Sequence, residues 1–328
     1  MPEGIADLSY RHYGGGMGKA SGAWKVICRE TVKRSFANRA FWILTSITGW
    51  YYAVILAVLY VTEQSLQSQM AGGRGGGIDP MKEVFNRIVW QDQFYWGFNS
   101  THLLLFIVSL IVGTGVIAND NRSNALLIYL ARPCTRGTYL FGKWLGVFTA
   151  LFVASLIPAL VFWIYGALNY RPYDFLSDDP WLIARIIGIA AFNAGLLASL
   201  AVGISSLFRQ PRMAGATMAG LYFISYFVTL LFRGIASSPA DGIPEGLKAI
   251  AERVSYMSIN GLMQGASKII LNTTGGSQFG FSAGPRGNNG PTPIPIPENW
   301  LIFGLAGFVI FISIAIAASR IRAVEVVK

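Results

Sequence analysis

Few residues in this chain could do chemistry, and their spacing argues against most of it. Cys28 and Cys134 are the only cysteines, with 105 residues between them. There is no Cys-x-x-Cys, so neither a disulfide framework nor a zinc ribbon is available. His12 lies in the N-terminal tail and His102 heads an apolar run, too sparse a set to ligate a membrane haem. The run GGGMGKAS (14–21) invites a phosphate-binding loop. That motif needs a glycine five places before Gly18, where Tyr13 stands, and Ser or Thr after the lysine, where Ala20 stands. No other G-x-x-x-x-G-K-[ST], no H-E-x-x-H and no carboxylate pair within one apolar run exists. The sequence therefore supports neither a membrane enzyme nor a self-powered transporter, and it calls for no cofactor or metal in this chain.

The elements that would position these residues are membrane spans. The 328 residues are 53% hydrophobic and 13% charged, with mean hydropathy +0.47. Soluble chains carry about 25% charge, so a soluble globular enzyme and a disordered chain are both excluded. A helix needs about 20 apolar residues to cross the hydrocarbon. Six runs qualify: 41–62, 101–118, 144–168, 186–208, 213–232 and 300–319. The expected fold is an all-α integral membrane protein. It comprises a tail and amphipathic helix within 1–40, then a six-span domain over 41–328 with external loops 63–100 and 233–299.

Net charge is +10, but its distribution is more informative than its sum. With the N-terminus inside, the cytoplasmic pieces net +11 and the external pieces −2. The Lys/Arg bias thus predicts that both termini are cytoplasmic, and it points to membrane lipid rather than nucleic acid as the partner of the basic surface. Residues 21–40 read as a basic amphipathic helix along the inner headgroups. Trp24, Ile27, Cys28, Thr31 and Phe36 lie on one face, with Lys25, Arg29, Lys33 and Arg34 off it. In the first external loop Phe85, Ile88 and Val89 mark a short helix face, and Trp90, Tyr95 and Trp96 suit the outer interface. The second external loop has short-helix patterns, then a Gly/Pro-rich stretch that serves as a spacer or binds an external partner.

The proposed spans hold no Asp, Glu, Lys or Arg near their middles. Lys143 and Arg185 fall at span ends, where they are expected to snorkel. Pro158 is expected to kink the third span. Asn193 is the costliest polar group to bury, and it reads either as packing glue or as a substrate ligand. Ala191, Gly195, Ser199 and Gly203 recur every fourth position, a spacing for close helix approach.

The loop after the second span is more specific. It reads GTGVIANDNRSNALLIYLARPCTRGTYLFGKWLG (113–146) and contains ALLIYL, far too short to cross. Asn121 or Ser123 can cap a short helix there, and Pro133 ends it. Such an amphipathic helix at the inner surface fits a groove on a soluble partner, with arginines to orient it.

Tyr129-Leu130-Ala131-Arg132-Pro133, then Arg136, Tyr139, Leu140, Gly142, Lys143, Leu145 and Gly146, resembles the permease subunits of type-2 ABC transporters, the exporter-like class. Glu30 before a basic stretch and Phe41-Trp42 also resembles that family's N-terminal region. Asn119-Asp120-Asn121 stands where relatives often carry a Glu-rich stretch. The resemblance implies a separate cytoplasmic ATPase that binds ATP and magnesium, a second permease chain, and a place in the plasma (inner) membrane. It assigns ATPase coupling to Glu30, Asp120, Arg122, Leu127, Tyr129, Leu130, Arg132, Pro133 and Arg136. It assigns a path between two chains to Ser109, Thr114, Tyr222, Ser225 and Thr229. The alternative is a non-transporting scaffold that holds partners through its external loops.

Overall fold

The computed structural model describes residues 22–71, 85, 88–123, 135–171, 175–177, 179–238, 244–276 and 294–321. Among them the chain is all-helical, and six helices are long and apolar enough to cross a membrane. They span Arg39–Ser68, Trp90–Arg122, Arg136–Asn169, Leu182–Leu207, Pro211–Ala236 and Asn299–Arg320. Five contain the corresponding predicted run whole; the fourth ends at Leu207, one residue short of its run, and all begin before theirs. At 34 residues the third is about 50 Å long, against a hydrocarbon layer of about 30 Å, so its ends project beyond the core. A leading helix, Ala23–Phe36, lies before the first span. Two outer helices, Glu245–Val254 and Ile259–Leu271, lie between the fifth and sixth. We call the end of the bundle that carries the leading helix the near end, and the opposite one the far end.

Two spans are broken. The first runs as Arg39–Thr48 and Trp50–Ala71, with Gly49 between. Pro158 of the third span stands against that break, 3.5 Å from where a Gly49 side chain would begin. The second runs as Trp90–Gly113 and Gly115–Arg122, with Thr114 between. The third span passes through Pro158 as one helix.

Where helices approach closely, small residues permit it. A Cβ on Gly203 would lie 2.8 Å from the Ser313 carbonyl oxygen of the sixth span. One on Gly113 would lie 2.4 Å from Ala201. Ser199 accepts the Trp144 indole N–H of the third span at 2.9 Å, and Gly195 faces Phe148. Ala191 is half-buried.

Two sequence expectations are corrected here. The second span starts at Trp90, not Thr101, so the end of the supposed first external loop is helix. Trp90 and Tyr95 are buried, in an aromatic core with Phe94, Phe162, Tyr170 and Phe175. The polar residues that hid this turn from the hydropathy count each find a partner. Asp92 accepts from Thr273, Tyr51 donates to Gln93 at 3.1 Å, and Gln264 donates to Asn99. Lys143 does not snorkel. It is buried in an ion pair described below. Arg185 bonds Asp179 at 2.9 Å and the Leu271 carbonyl oxygen at 3.3 Å.

The second outer helix is buried along nearly its whole length and packs on the second, fourth, fifth and sixth spans. Ser258 caps its start by accepting from Gly261 N–H at 2.9 Å, and Asn272 ends it in the left-handed region. A buried polar ladder fixes its depth. His102 Nδ1 bonds Asn260 Oδ1 at 3.1 Å, and Asn193 Nδ2 lies 3.5 Å from His102 Nε2. Asn193 thus meets another helix's side chain, and its Oδ1 has no partner among the described residues.

Candidate coupling site

The near end is built around a buried charge. Asp120, on the short helix after the Thr114 break, is 7% exposed. Its carboxylate lies 2.8 Å from Lys143 Nζ and accepts the Tyr139 hydroxyl at 2.7 Å. Both partners belong to the third span, and the ammonium also lies 5.6 Å from the Tyr139 ring centre. Burial strengthens such a pair and makes the loss of either member costly.

Around this pair the third span presents Gly142 and Gly146 to the leading helix. A Cβ on Gly142 would meet the Trp24 carbonyl oxygen at 2.9 Å and Ile27 at 3.0 Å. One on Gly146 would meet Thr31 at 2.5 Å. Two glycines one turn apart thus form the groove in which Ile27, Thr31 and Ser35 are buried. The basic face of that helix, with Lys25, Arg29, Lys33 and Arg34, is exposed, as is Glu30. A cavity of about 240 Å³ opens beside it, lined by Glu30, Arg34, Asn119 and Lys143 among others.

The Thr114 break is stapled by the fourth span. Ser205 donates to the Thr114 carbonyl at 2.7 Å and accepts from Ile117 and Ala118 N–H at 3.1 and 3.0 Å. A single hydroxyl therefore satisfies groups on both sides of the interruption, which would otherwise be orphaned. Asn121 adds bonds to the Ser206 and Phe208 carbonyls at 3.4 and 3.3 Å. We expect Ser205→Ala to cost about 1–3 kcal/mol through the two stranded amides. The check is thermal unfolding of the purified chain, with faster hydrogen exchange at Ile117 and Ala118.

Of the residues assigned to coupling, Asp120 is an internal anchor, Arg122 is exposed, and Arg136 is exposed at the start of the third span. Leu127, Tyr129, Leu130, Arg132 and Pro133 lie outside the described residues. The residues assigned to a path are mostly enclosed. Ser109 is fully buried and bonds its own helix at Phe106. Thr114 sits at the break. Tyr222 stacks on Phe106 with ring centres 3.9 Å apart. Ser225 is half-buried on its own helix, and Thr229 donates to Ser258 at 3.0 Å. Sequence reasoning missed Lys143 and Ser205 as partners at this site. The opposite charges at the facing ends of the second and third spans were the available signal for Lys143. For Ser205 there was none.

Six spans, a leading helix clamped on the third and a buried helix capping the far end define a multi-pass helical membrane protein. The chain belongs to the ABC-2 family of transporter proteins, whose description, ABC-2 family transporter protein, matches it over residues 26–323. That family supplies the transmembrane permease subunit rather than the nucleotide-binding component, and membership implies ABC ATPase subunits as partners. Among curated proteins there is no match to this chain.

Proposed function

We propose that this permease subunit is an exporter's membrane half, driven from its near end by a separate ATPase. In this reading the near end is cytoplasmic, both termini lie inside, and the membrane is the plasma (inner) membrane. The Lys/Arg bias supports that orientation. The ATPase, with its ATP and magnesium, docks on loop 119–138 and on the exposed basic face of the leading helix. The observation that carries the reading is the anchoring of the loop's two ends. Helix Gly115–Arg122 is held to the third span through Asp120 and to the fourth through Ser205 and Asn121. A force on the loop therefore reaches three spans at once. Two permease chains pair, with the second and fifth spans toward the shared path. Only 17% of the fifth span's most apolar stretch is buried within this chain, and Leu221, Ile224, Val228 and Leu231 form an exposed stripe along it.

Deleting Leu127–Arg136, or reversing Arg132 and Arg136 to Glu, should release the ATPase from the purified complex while the chain stays inserted. ATPase recovered at wild-type stoichiometry with both variants would show that docking lies elsewhere.

A further inference from the structure

We propose that a pocket at the far end, between the second span, the fifth span and the outer helices, binds a phosphate-class oxyanion through Arg233 and Lys268. The pocket has a volume of about 170 Å³. Arg233 comes from the last turn of the fifth span and Lys268 from the second outer helix. Asn99 and Gln264 add amides to the wall. The argument goes beyond the transport reading and does not depend on it.

Both cations are costly where they stand. The Lys268 ammonium is buried, donates to the Ile294 carbonyl at 2.7 Å, and lies 5.7 and 5.8 Å from the Tyr95 and Tyr256 ring centres. Arg233 donates to the Ser255 carbonyl at 3.3 Å, and its buried Nε has no partner among the described residues. Among the described residues neither cation has an ion pair. Burial, followed by the positive charge of Arg233, lowers the Lys268 pKa to about 8, although Asp92 partly opposes this. Two like charges held close in a partly desolvated pocket are offset best by an anion between them. A guanidinium fork beside an ammonium suits the several oxygens of a phosphate group. Gln264 donates to Asn99 Oδ1, which leaves the Asn99 amide N–H groups for the ligand. The two tyrosine rings are already engaged with Lys268, so the recognised part of the ligand is its charged head.

Two sources share this chemistry: the head of a phospholipid in the leaflet at the far end, and a free phosphate compound. The test uses the full chain in a non-ionic detergent, titrated calorimetrically with dimethyl phosphate and with inorganic phosphate. Dimethyl phosphate should bind, and Arg233→Gln and Lys268→Met should each weaken it at least about tenfold, with the helical circular dichroism signal retained. In the wild type, affinity should fall about tenfold between about pH 7 and about pH 9 as Lys268 loses its proton. The probe's charge is constant over that range. The other charged or titratable groups around Lys268 are Arg233, Asp92, Tyr95 and Tyr256. Native mass spectrometry separates the sources. One phospholipid retained per wild-type chain and lost from Arg233→Gln assigns a lipid head. Binding of inorganic phosphate with no lipid retained assigns a free phosphate. Absence of dimethyl phosphate binding, or binding indifferent to both substitutions, overturns the proposal. If the variants do not fold, a flat wild-type pH profile overturns it.

Discussion

Replacing Asp120 with alanine is expected to destabilise the purified chain by about 3–5 kcal/mol, because it strands the Lys143 ammonium in a buried site. Asp120 and Lys143 are both almost closed to solvent, and the carboxylate also holds the Tyr139 hydroxyl. Three groups thus lose their arrangement at once. Lys143→Met should be nearly as damaging, since it leaves the carboxylate as the uncompensated charge. The informative variant combines Asp120→Leu with Lys143→Met. Removing both charges should recover most of the lost stability, because the fold needs the pair neutralised rather than charged. Thermal unfolding in detergent tests this. If the double variant is as unstable as either single one, the bond to Tyr139 rather than the ion pair holds the site. In the proposed mechanism the recovered protein should still bind its ATPase. Its stimulation of ATP hydrolysis should nevertheless fall, because the anchor that passes force to the third span is weaker.

The second large effect concerns the leading helix. A side chain at Gly146 would begin 2.5 Å from Thr31 and 3.2 Å from the Cys28 carbonyl oxygen. Gly146→Leu should therefore push the helix off the third span and expose Ile27, Thr31 and Ser35. Lys25, Arg29 and Lys33 are already on its exposed face, so trypsin should cut there about tenfold faster once the helix opens locally. The six spans should stay assembled, because the packing among them does not pass through this groove. Gly137→Leu is the control. Among the described residues nothing lies within 4 Å of where its side chain would begin, so cleavage should match the wild type. Equal cleavage in Gly146→Leu would mean that the helix does not depend on the groove.

The sequence disclosed this architecture unevenly, for physical reasons. Spans are read from runs of apolar residues, and all six runs coincide, to within one residue at Phe208, with helices long and apolar enough to cross a membrane. The basic face of the leading helix was legible because its lysines and arginines fall at helical spacing. Its partner was not, because a helix laid on headgroups and one laid on another helix show the same periodicity. Gly142 and Gly146 were visible as members of a family-like motif, but only the structure gives them a job: they make room for Ile27 and Thr31. The first turns of the second span were hidden because Asp92, Gln93 and Asn99 lower the hydropathy there. Each finds a partner distant in sequence, Thr273, Tyr51 and Gln264 respectively. The same long-range pairing concealed the Lys143 partner. Breaks at Gly49 and Thr114 leave little trace in an apolar run, since a span can be interrupted wherever a neighbour supplies the missing bonds.

The staple at Ser205 has a mechanical consequence. It grips the Thr114 carbonyl on one side of the break and the Ile117 and Ala118 amides on the other, so the second span is a cranked rod pinned at its elbow. The arm toward the loop has 8 residues and the arm toward the far end has 24, or about 12 and about 36 Å. Rigid rocking about that pin would magnify motion roughly threefold, so that about 1 Å at Arg122 would become about 3 Å at Trp90. Tyr95 and Asn99 ride near the tip of the long arm, beside Lys268. In the proposed mechanism, this leverage would turn a small stroke at one mouth of the bundle into a wider one at the other.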